Sequence, residues 1–125
     1  MQVKIYYHHT DSGGVVYYAR YLDFLEEART EFLAQKGFFI KALADKGVMF
    51  VVARQEIDYK APAVYGDTLT IETRVAETSA VRINFENEIN NQEGKLIAKA
   101  KTVLVCVNSE LKPQVIPDDI RSQFS

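Results

Sequence analysis

The residues best suited to chemistry lie together in Tyr7-His8-His9-Thr10-Asp11-Ser12-Gly13-Gly14-Val15-Val16-Tyr17-Tyr18-Ala19-Arg20-Tyr21. An acid and two glycines stand just ahead of a stretch with helical periodicity. The first turn of a helix leaves N–H groups unpaired, and the helix dipole adds to their pull on an oxygen that turns negative during reaction. Glycines let a substrate approach the backbone closely. Asp11 lies seven residues before Tyr18. A compact loop would present its carboxylate beside the amides that open the helix, where it could attack a carbonyl or activate water. The same carboxylate could instead close an Asx turn and do no chemistry. The residue types alone leave both readings open.

Other candidates point to weaker uses. His8 and His9 are adjacent, so an extended backbone would send them to opposite faces and deny them a shared metal ion; a polar strand end is the expectation. Cys106 in Leu104-Val105-Cys106-Val107 reads as a small apolar strand residue, because a reactive thiolate needs a cation or a helix N-terminus beside it. Lys99 and Lys101 alternate along a strand and read as a solvated stripe, with contact to a phosphate-bearing ligand as the other use. The chain has no Cys pair or His-Glu-x-x-His for zinc, no phosphate loop and no Gly-x-Ser-x-Gly turn, so metal and serine chemistry are disfavoured.

The elements that must position these residues follow from hydrophobic period. Val3, Ile5 and Tyr7 alternate with Lys4, Tyr6 and His8, which predicts a first strand to about Tyr7. From about Tyr18 to Lys36, Tyr18, Tyr21, Leu22, Leu25, Ala28, Phe32 and Leu33 recur at three- and four-residue spacings, so one long helix is predicted, stopped by Gly37. A second short helix fits between Phe38 and Gly47. Strands are expected over Met49 to Tyr59, Leu69 to Val75, Val81 to Ile89 and Leu96 to Val107, with hairpins at Ser79-Ala80 and Asn90-Asn91-Gln92-Glu93-Gly94. Pro113 and Pro117 mark an irregular tail of moderate burial at best. The order is strand, long helix, then four strands, an α+β architecture. A single helix leaves apolar sheet surface uncovered, so self-association is expected.

Composition agrees with one soluble domain over residues 1–125. Fifteen Lys+Arg against seventeen Asp+Glu give a net charge of -2, without the basic field that nucleic-acid binding uses. The longest apolar runs have about five residues against the roughly 20 of a membrane span, and the N-terminus has no secretory signal pattern. Neither nucleic acid nor an integral membrane segment is expected, and the expected location is cytoplasmic.

The Thr10-Asp11-Ser12-Gly13-Gly14-Val15-Val16-Tyr17 stretch resembles the Thr-Asp-x-x-Gly-Val-Val-Tyr signature of the hotdog-fold acyl-CoA thioesterases of the 4-hydroxybenzoyl-CoA thioesterase family, most closely its Tol-Pal-associated, YbgC-like branch. The resemblance continues through Glu27-Ala28-Arg29-Thr30-Glu31, Tyr59-Lys60-Ala61-Pro62-Ala63, Gly66-Asp67 and Val103-Leu104-Val105-Cys106-Val107. It implies a hotdog fold, an antiparallel five-stranded sheet wrapped around one long helix, and a homodimer assembling to a homotetramer with active sites at the dimer interface. It also implies hydrolysis of an acyl-CoA to free CoA and a carboxylic acid, without metal or cofactor. Carried over by position, the catalytic acid falls on Asp11 and the amide that polarises the thioester carbonyl on Tyr18. Gly14 supplies loop geometry, and Tyr17 and Tyr21 are positioning or packing residues at the substrate site.

Two positions depart from the family pattern. His9 stands where many relatives have an acid, and Tyr18 stands where some carry His, so the expectation for Tyr18 rests on its backbone amide. CoA phosphates require basic groups, for which Lys60, Arg54, Arg82, Lys99 and Lys101 are candidates. The alternative is a non-hydrolytic module that uses the same groove to bind acyl-CoA or an acyl carrier protein, with Asp11 as a loop acid.

Overall fold

A computed structural model describes residues 1–124. Its strands are β1 (Gln2–Lys4), β2 (Met49–Tyr59), β3 (Thr68–Thr78), β4 (Arg82–Asn90) and β5 (Leu96–Val107). They form one antiparallel sheet in the order β1-β3-β4-β5-β2. The helices are α1 (Arg20–Gln35), the short α2 (Ile40–Asp45) and a final turn, α3 (Asp118–Arg121). The sheet curls around α1, which is the α+β hotdog architecture the sequence led us to expect.

Helix α1 lays Tyr21, Phe24, Leu25, Ala28 and Leu33 on the sheet, the spacing of an amphipathic stripe. It ends where expected. Gly37 takes φ +89°, and the amides of Gly37 and Phe38 donate to the carbonyls of Ala34 and Leu33 at 2.9 Å each. This left-handed cap is costly for any residue with a Cβ.

Three expectations need correction. Strand β1 stops at Lys4, and Tyr7–His9 form a 3-10 turn, because the His9 side chain and amide both bond back to Tyr6. His8 and His9 therefore do not point to opposite faces; their rings lie 3.9 Å apart. Helix α1 begins at Arg20, two residues later than the apolar period suggested. The tail is not loosely attached either, since Ile116 and Ile120 are buried at 1% and 0% exposure.

The core has two apolar parts. Ile5, Val16, Tyr21, Phe24, Leu25, Ala28, Ala63, Leu69, Ile71, Ile89, Ile97, Ala98 and Ala100 form one. Leu33, Ile83, Phe85, Leu104, Cys106, Ile116 and Ile120 form the other. A polar row crosses the inner face between them. Asn87 of β4 donates from Nδ2 to Thr73 Oγ1 of β3 at 2.8 Å, and Thr102 of β5 donates from Oγ1 to Gln55 Oε1 of β2 at 2.8 Å. Above this level on α1 lies Arg29, one turn from Leu25 and one from Leu33 and itself buried. Arg29 Nη1 and Asn87 Oδ1 have no hydrogen-bond partner among the described residues.

Candidate active site

Residues 10–16 form a small hairpin. Thr10 pairs with Val16 and Val15 with Val64, the Asp11 amide donates to Val15 O at 2.9 Å, and the Gly14 amide donates to Asp11 O at 3.0 Å. The return requires left-handed backbone at Gly14, φ +79°. Val16 seats the hairpin, because its amide donates to Ala63 O at 2.9 Å and both residues are buried. The Asp11 side chain is exposed at the turn. Its Oδ1 accepts the Gly13 amide at 2.8 Å; this is the Asx turn that the residue types allowed as the alternative to chemistry, and it orients the carboxylate without burying it.

The hairpin leads straight into α1. The Tyr17 amide donates back to His9 O at 2.9 Å, and Tyr17 O accepts the Arg20 amide at 2.9 Å to begin helical winding. Among the described residues, the amides of Tyr18 and Ala19 donate to no acceptor. Free donors at the head of a 16-residue helix, backed by its dipole, have the chemistry to accept an anionic oxygen.

Aromatic rings surround that position. The Tyr17 and Tyr18 rings lie 4.9 Å apart. Tyr59, at the end of β2, packs edge-on to Tyr21 at 5.5 Å and to Tyr18 at 6.4 Å. The Tyr59 hydroxyl donates to Tyr18 O at 3.1 Å. Burial pushes the Tyr21 phenol up to about 12. Tyr17 is raised chiefly by the neighbouring Tyr18, with a smaller push from Asp11, and Tyr59 is raised by burial and then by Tyr18.

Asp11, Gly14, Tyr17 and Tyr18 thus meet at one loop–helix junction. Tyr21 lies behind it in the core at 3% exposure. Of the basic candidates, Arg54 is paired with Glu56 and Lys99 with Glu88. Sequence reasoning gave Tyr59 no place at the site and read His9 as a polar strand end. The signal for Tyr59 was an aromatic residue closing a strand just before Lys60-Ala61-Pro62-Ala63; for the contacts of His9 there was none, because they depend on a 3-10 turn.

Residues 6–124 match the family model described as the thioesterase-like superfamily. The chain belongs to the thioesterase-like superfamily. The matched span takes in the acid hairpin, α1 and strands β2 to β5. Within the superfamily the chain is 39% identical over 123 residues to the acyl-CoA thioester hydrolase YbgC of Escherichia coli O6:H1, covering 98% of this chain and 92% of that one. Among solved structures, a probable thioesterase from Bartonella henselae superposes with a TM-score of 0.89 at 37% identity, covering 94% of this chain and 97% of the other. A 1,4-dihydroxy-2-naphthoyl-CoA thioesterase from Synechocystis gives 0.91 at 27% identity, covering 99% and 93%.

Proposed function

We propose that this thioesterase hydrolyses acyl-CoA, with Asp11 and the Tyr18 amide as its reactive pair. The observation that carries the reading is that the exposed carboxylate and the unpaired amides belong to one hydrogen-bonded unit, closed by Thr10 and Val16 and by the Tyr17 amide on His9 O. The likeness to the acyl-CoA thioester hydrolase YbgC of Escherichia coli supports the substrate class.

In this mechanism the thioester carbonyl oxygen accepts the Tyr18 N–H. The helix dipole favours the negative charge that develops as the carbonyl carbon becomes tetrahedral. Asp11 either attacks that carbon, giving an acyl anhydride that water then opens, or removes a proton from the attacking water. The thiolate of CoA leaves and takes up a proton. Loss of one such oxyanion donor costs about 3 kcal/mol of barrier. The Asp11→Asn variant is expected to fold and to release no thiol from a panel of acyl-CoAs; parental turnover by that variant would overturn the assignment.

A second copy of the chain completes the groove in this reading. Strand β2 is a sheet edge of 11 residues, with Val51 and Val52 exposed at 38% and 51%. A long edge with apolar side chains is a template for pairing with another chain. Val52→Lys is expected to shift the protein towards monomer in sedimentation; an unchanged mass distribution would count against pairing through β2.

A further inference from the structure

We propose that His9 is a positioning residue for this site, its neutral imidazole anchoring the two chain segments that carry Asp11 and the Tyr18 amide. The inference rests on the reading of the site given above. His9 makes three bonds with separate atoms. Its Nδ1 accepts the Tyr6 amide at 2.9 Å. Its own amide donates to Tyr6 O at 3.0 Å, and its carbonyl accepts the Tyr17 amide at 2.9 Å. The ring also meets Phe24 of α1 edge-on at 5.3 Å, and Phe24 is buried. One residue therefore fixes the 3-10 turn, the base of the acid hairpin and the approach to α1. Asp11 lies two residues beyond it in sequence, and Tyr18 follows Tyr17 directly.

The side-chain bond requires a particular protonation state. A ring nitrogen that accepts an N–H carries no proton, so the imidazole is neutral with its hydrogen on Nε2. The imidazolium would set a second donor against the Tyr6 amide and break the bond. The charged and titratable groups around the ring are Tyr6, with its ring 6.2 Å away, and His8 on its own turn with Arg20, Asp23, Glu26 and Glu27 on α1, which line a groove of about 280 Å³ with it. Burial, His8 and Arg20 hold His9 below the ordinary histidine range, and Asp23 opposes them. The anchor is therefore complete above about pH 6.5 and is released as pH falls through the depressed value.

Two variants separate the acceptor from mere bulk. His9→Asn keeps a short acceptor that does not titrate, and His9→Phe keeps the ring against Phe24 and removes the acceptor. Thiol release is followed from about pH 5 to 8, with kcat and KM determined separately, and amide hydrogen exchange at Tyr6 and Tyr17 is measured over the same range. We expect the parent to lose kcat on the acid side and there to lose protection at both amides, measured against the intrinsic exchange rate at each pH. His9→Asn should flatten both dependences at near-parental kcat. His9→Phe should lower kcat roughly tenfold at every pH with KM little changed, as expected for a slightly misplaced reacting group.

Parental kcat and protection in His9→Phe, or equal damage in the two variants, would overturn the proposal. Asp11→Asn is assayed in parallel. Full turnover by that variant defeats the reading of the site, while exchange at Tyr6 and Tyr17 still tests the anchor by itself.

Discussion

The Tyr59 hydroxyl reaches across from the end of β2 and donates to the carbonyl of Tyr18 at 3.1 Å. The peptide unit on the other side of the Tyr18 Cα supplies the unpaired amide. The bond thus restrains the residue from the sheet side just where α1 begins. Tyr59→Phe removes only the hydroxyl and keeps the ring against Tyr21. A single hydrogen bond of this kind is worth about 1 kcal/mol, so a severalfold fall in kcat is expected together with a melting temperature lowered by about 4 °C. Steady-state thiol release and a thermal melt check both parts.

Gly14 tests the hairpin. A Cβ there would meet no heavy atom within 4 Å, yet φ is +79°, so the cost of Gly14→Ala is backbone strain without a clash. We expect a loss of about 1 kcal/mol, seen as a melting temperature lowered by about 4 °C. Activity should fall further than this predicts, because the strain is released by moving the Asp11 turn. Calorimetry with parallel assays measures the difference.

Tyr21 gives a pH dependence with a definite sign. Its phenol is raised from 10.0 to about 12, first by burial. In that window the folded chain holds a proton that the unfolded chain has lost. The stability contributed is complete below about pH 10 and is lost as pH rises towards about 12. Urea midpoints at the two ends of the window should fall less for Tyr21→Phe than for the parent; equal falls would contradict the assignment.

The sequence made the fold legible where pattern depended on neighbours alone. Leu69, Ile71 and Val75 on β3, and Ile83, Phe85 and Ile89 on β4, occupy the inward positions their alternation indicated. Gly37 stops α1 as expected. The misses came where individual hydrogen bonds, local or distant, decided. The 3-10 turn at Tyr7–His9 depends on a side-chain bond, and burial of Ile116 depends on its amide reaching Ala80 O at 2.8 Å. The polar row was hidden for a related reason. Gln55, Thr73, Asn87 and Thr102 each interrupt an apolar face singly, and only the register places Gln55 opposite Thr102. At the site, the run from Asp11 to Tyr18 could be read because loop and helix start are contiguous; Tyr59, 41 residues from Tyr18, could not.

Cys106 is fully buried. Burial pushes its thiol up, with Gln114 acting weakly in the opposite direction, so it stays protonated and shielded. A chromogenic disulfide reagent should label less than a tenth of the chains natively within minutes and about one thiol per chain in denaturant. Rapid native labelling would show that β5 opens. The expected silence also means that thiol release assays on the folded protein carry little background.

The division of the interior gives the two ends of the molecule different duties. The acid hairpin and the head of α1 rest on the compartment of Ile5, Val16, Phe24 and Ala63, whereas the C-terminal residues Ile116 and Ile120 fill the other. Damage to the tail therefore loosens the far half first, and the hydrogen-bonded row beneath Arg29 is the seam at which such loosening would halt before it reached the reacting groups.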